Sequence, residues 1–220
     1  MSGLSAHRWV SWLVVASLLG VAGCKPTPVT LQPGPRVFTP DSYPLVWDEW
    51  TREAESFSWQ DLAHELHVSA TFESWEFRWA YVVRYARDYS LLPDVRDEML
   101  QASLESSRQE HRFFVTLAGF SFRESNIAGK QSAWRVLLID PSGQQTVPVL
   151  MERVRRPSAT DRVYFPQVSA LRETFRVTFP AVGPDGRHSI PEDSDFVVLR
   201  FTGARGRVDL RWDLTGAPAG

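Results

Sequence analysis

Alternation is the feature that most narrows what this chain can become. In "GRVDLRWDL", residues 206–214, Val208, Leu210, Trp212 and Leu214 fall to one side and Arg207, Asp209, Arg211 and Asp213 to the other. Successive side chains of extended backbone point to opposite faces, so a period of two predicts a strand with one apolar and one polar face. The same period runs through "LHVSATF" (66–72), "FFVTLAGF" (113–120), "AWRVLLID" (133–140) and "ETFRVTFP" (173–180), and "DFVVLRF" (195–201) reads as a further strand. "TVPVLMERV" (146–154) and "RVYFP" (162–166) are shorter strand candidates, and Pro141-Ser142-Gly143 reads as a turn. The expectation is a set of antiparallel strands, each sheet keeping one wet face.

The period changes after Phe72 and returns to two after Arg112. After Phe72, "ESWEFRWAYVVRYARDYSLL" places Trp75, Trp79, Val82, Val83 and Ala86 on one helical face, widened by Phe77, Ala80, Tyr81 and Tyr85. Glu76, Arg84, Arg87 and Asp88 fall on the polar side. Pro93 interrupts, and proline and aspartate in the first turn start a second helix with a narrower stripe, Val95, Met99, Leu100 and Leu104. A helical hairpin over about residues 74–108 is expected.

The order of W-x-V-x-L-x-D-x-x-G (Trp134 to Gly143), "FRVTFP" (Phe175 to Pro180) and "VDLRWDL" (Val208 to Leu214) resembles the immunoglobulin-like sandwiches of secreted bacterial lipoproteins. The fold this resemblance implies is α+β, a mostly antiparallel β-sandwich (immunoglobulin-like) with a helical hairpin inserted after the first strand. A single such domain is expected over residues 46–220. Antibody domains carry a cysteine pair between the sheets; this chain has one cysteine, so core packing alone must hold them together.

That cysteine lies near the amino terminus. His7 and Arg8 precede an apolar run from Trp9 to Val21, too short to span about 30 Å of hydrocarbon but suited to a signal-peptide core. Val21-Ala22-Gly23-Cys24 follows, and it resembles the lipobox of bacterial lipoproteins. The resemblance implies a signal peptide over 1–23, cleavage between Gly23 and Cys24, and a diacylglycerol thioether on Cys24. Two or more chains make membrane attachment stable. Lys25, where an aspartate would imply inner-membrane retention, points to the outer membrane. Prolines 26, 28, 33, 35, 40 and 44 then bias residues 24–45 to extended backbone, a tether that could hold the body up to about 60 Å from the lipid.

Composition excludes some partners. The net charge is -2, and no basic stripe is present among 24 basic residues, of which all but Lys25 and Lys130 are arginine. Nucleic acid is therefore not an expected partner, because neutralising phosphates needs clustered positive charge. "HELH", His64 to His67, spaces its histidines three apart, whereas a zincin helix needs four. Gly129-Lys130 lacks the first glycine of a phosphate loop, since position 124 is Glu124. No metal or cofactor is expected from these patterns. Asp185, Glu192, Asp193 and Asp195 crowd one loop and form a candidate calcium cluster, though without the twelve-residue hand. Trp47, Trp50 and Trp59 are candidates for stacking on sugar rings, with core packing as the competing role.

The sequence thus leads to a lipid-anchored envelope protein with a non-enzymatic interaction or structural module, whose partners are the membrane, through its anchor, and an envelope protein or glycan. Two alternatives stay open: a glycan- or peptidoglycan-binding module using the tryptophans, and a hydrolase with a loop-built site.

Overall fold

The computed structural model describes residues 28–34, 36–58, 63–119 and 125–215. A 3-10 turn at Pro40–Ser42 leads into α1 (Tyr43–Trp50), then β1 (Thr51–Ser58) and β2 (Ala63–Phe72). Helices α2 (Trp75–Asp88) and α3 (Pro93–Gln109) follow, then β3 (Glu110–Gly119), β4 (Trp134–Ile139), β5 (Gln145–Thr146) and β6 (Leu150–Arg153). A short helix α4 (Ala159–Tyr164) precedes β7 (Glu173–Pro180), β8 (Phe196–Gly203) and β9 (Gly206–Asp213). The strands form two antiparallel sheets, one in the order β1-β2-β3-β7-β6 and the other in the order β5-β4-β8-β9. The architecture is α+β with sandwich-like packing.

The alternating residues meet between the sheets. Phe72 pairs with Phe113 across β2 and β3, their rings stacked at 4.5 Å, and Trp212 of β9 reaches both at 6.1 and 5.5 Å. Its indole N–H donates to the Trp50 carbonyl at 3.0 Å, so this core tryptophan leaves no polar atom stranded.

The expected wet face is missing from the five-stranded sheet. Phe114, Thr116 and Thr71, on the side away from the second sheet, are also buried. Phe114 stacks on Phe165 at 3.8 Å, and Phe165 lies 5.7 Å from Phe77 of α2. Adjacent phenylalanines at 113 and 114 therefore serve opposite faces, and the helices make a third layer. Leu137, Ile139 and Val198 form a smaller apolar cluster of their own in the second sheet.

Three local outcomes differ from the sequence reading. "RVYFP" is not a strand: its residues 162–164 belong to α4, because Ser158 and Asp161 form a reciprocal capping box that starts a helix. Another strand, β1, precedes "LHVSATF"; its polar, weakly alternating composition suits a sheet edge and hides its period. The proline-rich segment read as a spacer contributes Val29, Phe38 and Tyr43 to the core. Proline denies the backbone a ladder, but the apolar side chains between prolines can still dock.

Candidate functional site

Element ends and loops from several parts of the chain meet around one cleft. Phe72 ends β2, and Ser74 caps α2 by accepting the Phe77 N–H at 3.3 Å, which aims the first turn and so sets Trp75 and Trp79 in one wall. Leu104 and Arg108 come from the last turns of α3, and Glu110 and His111 from the start of β3. The loop before β8 supplies His188, Ile190, Glu192 and Ser194. Leu31, Gln32 and Pro33 form a strap that closes another side beside Leu214 and Thr215. The enclosed space is about 340 Å³, within the range of small-molecule sites.

The strap is held by specific bonds. The Val29 N–H donates to the Asp213 carbonyl at 2.9 Å, and the Thr215 N–H donates to the Val29 carbonyl at 2.8 Å. Further on, Arg36 Nη1 donates to Glu76 Oε1 at 2.9 Å, while Trp50 Nε1 donates to Glu76 Oε2 at 3.1 Å. Glu76, expected on the polar side of its helix, is instead buried with both oxygens engaged. Phe38 completes the clasp against Trp75 and Trp79, at 6.2 and 5.8 Å between ring centroids.

Polar and charged groups share the cleft lining with the apolar ones, Glu73, Arg108, Glu110, His111, His188 and Glu192 among them. Burial pushes the His111 imidazole down to about 4, and Arg78 and His188 push the same way, so the ring is neutral at pH 7. Its plane stands edge-on to Phe72 at 5.9 Å. Glu110 stays ionised: although burial works against it, Ser106 and Arg112 hold its carboxyl below the usual range, with Ser106 Oγ at 2.8 Å. The Trp75 N–H and the Ser194 hydroxyl are buried in the walls without a hydrogen-bond partner among the described residues. An unmet buried polar group costs about 1–3 kcal/mol, which a binding site tolerates more readily than a core does. The arrangement offers apolar walls and a neutral imidazole that can donate or accept.

The residues singled out by sequence are scattered. Trp50 is fully buried, so it has no face to offer a sugar; it is core. Trp47 is half-buried beside a shallow polar groove with Glu53, Gln167 and Arg172, and its N–H donates to Gln167 Oε1 at 3.2 Å. Asp185 turns back on its own loop and accepts from the Arg187 N–H at 3.1 Å, while Glu192 and Asp193 border a separate surface depression. Among the described residues no three His, Cys, Asp or Glu side chains converge on a metal position. His67 Nε2–H donates to Glu53 Oε1 at 2.6 Å, and Arg172 donates to the same oxygen at 2.9 Å. Gly23, Cys24 and Trp59 lie outside the described residues. Among the described residues no helix is long and apolar enough to cross a membrane.

His111, Ser194 and the strap were missed by sequence reasoning. Each is a lone residue or a proline-rich run until folding brings it to the others; the only hint was aromatic density from Phe72 to Trp79. Compared with protein-family models, with curated proteins and with solved structures, the chain matches none.

Proposed function

We propose that this chain is a lipid-anchored cell-envelope protein that acts by binding, with an immunoglobulin-like sandwich as scaffold and the cleft as its ligand site. The strand orders support the scaffold: β2-β3-β7-β6 and β4-β8-β9 run as the ABED and CFG sheets of that fold. In that scheme β1 and β5 are added outer strands, and the α2–α3 hairpin occupies the connection after the first strand. One juxtaposition carries the functional reading: the strap leading away from Cys24 is itself a wall of the cleft. Growth with a labelled fatty acid tests the anchor. Label on the wild-type protein and none on Cys24→Ser is the expected result; persistent label on the variant refutes it. A saccharide on the Trp47 groove is the second reading, favoured by a half-buried indole beside amide and charged side chains. It predicts that cell-wall fragments shift the tryptophan fluorescence and that Trp47→Ala abolishes the shift.

A further inference from the structure

We infer that the cleft takes one acyl chain of a membrane lipid. Its apolar walls are aromatic and aliphatic, with buried Phe72, Trp75 and Ile190 and half-buried Trp79, Leu104 and Leu214. Apolar surface of that kind, held open by two helices, strand ends and the strap, is favoured to fill with something apolar. What lies within reach follows from chain length. Four residue steps separate Cys24 from Pro28, at most about 14 Å even when fully extended. Val29 is then pinned to β9 by its two backbone hydrogen bonds, and the next residues, Leu31 to Pro33, already line the cleft. A chain anchored at Cys24 therefore keeps this end of the fold at the bilayer surface, not tens of ångströms away, and the local concentration of acyl chains there is high. The polar groups suit the ester end of such a guest, with the neutral His111 for an ester or hydroxyl oxygen; Arg108 is paired with Glu105 at 3.2 Å, and with Glu73, Glu110 and Glu192 also in the lining the cleft favours an uncharged or zwitterionic headgroup over an anionic one.

This inference rests on the anchored reading for its proximity argument, and the test separates the two. Cells expressing the full chain are grown with a fatty acid carrying a photoreactive diazirine and an alkyne, irradiated, and the protein's adducts are mapped by peptide mass spectrometry. Lipid adducts concentrated in segments 72–79, 104–111 and 188–194, beside the metabolic label on Cys24, are expected. Leu104→Trp, which fills the cleft, should reduce the cleft adducts by about tenfold or more with Cys24 still labelled. Ile190→Trp repeats the test from the opposite wall if the first variant fails to fold. Cys24 labelled with adducts absent from the three segments, or unchanged in both filled variants, overturns the inference and leaves the anchor standing. Cleft adducts without label on Cys24 uphold the acyl site and overturn the anchor. A cross-link joining these segments to the Cys24 peptide itself would make the protein's own acyl chain the occupant and overturn the assignment to a membrane lipid.

Discussion

His111 begins β3 with its ring against Phe72 and with Arg78 and His188 near enough to oppose a second positive charge. Its titration has a definite consequence for stability. An unfolded chain protonates this histidine near 6.5, whereas the folded one refuses the proton down to about 4. Between those values the unfolded state holds more protons, so stability falls as pH drops through 6.5 towards 4 and loses nothing more from this group below it. His111→Phe keeps the ring contact and removes the titration. Its melting temperature should therefore decline less than that of the wild type between pH 6.5 and 4.5, measured by thermal melts across that window. An unchanged slope would mean that the ring is not buried as described.

Elements end where single residues permit it. Helix α2 closes with Ser90 at φ 52, and the Leu91 N–H reaches back to the Ala86 carbonyl at 2.8 Å, a left-handed termination that usually falls to glycine. Ser90→Gly should stabilise the protein by up to about 1 kcal/mol, since it removes the steric cost of the left-handed serine; the urea midpoint reports it. Gly203 works in the opposite sense. It ends β8 so close to β4 that a Cβ would sit 2.1 Å from the Ala133 carbonyl oxygen. Backbone cannot give way there as a flexible side chain could, so Gly203→Ala should cost about 3 kcal/mol, read from the same denaturation curves. Opposite signs for two small substitutions at element ends are a sharp check on both geometries.

Across the whole molecule Val29, Phe38 and Tyr43 bring the described part of the proline-rich segment into the core. Phe38 is 6% exposed, wedged between Trp75, Trp79 and the Arg36 guanidinium 5.3 Å above its ring. Phe38→Ala should lower stability by about 3 kcal/mol, roughly 6–12 °C in melting temperature for a chain this size. If the strap were only a spacer, neither number would move. Limited proteolysis of the same variant should also cut first within 28–38, because Val29 and Arg36 would then hold the strap without its apolar centre.

The period-two runs and the change of period after Phe72 were sufficient by themselves for most of the strands and for helices α2 and α3, because side-chain direction in extended and helical backbone is a local property; α1, β1 and α4 were not legible in that way. Local sequence also carried the Pro141-Ser142-Gly143 turn, where the Asp140 carboxylate accepts the Gln144 N–H at 2.8 Å and Gly143 takes φ 85. Tertiary structure decided everything that depends on what lies opposite. It buried Glu76 because Arg36 and Trp50 converge on it from forty and twenty-six residues away. It dried the outer face of the large sheet because Phe165 arrives on Phe114, and it turned a proline-rich run into the wall of a cleft. Those partners are distant along the chain, and only closure of the two sheets and the hairpin brings them within contact range.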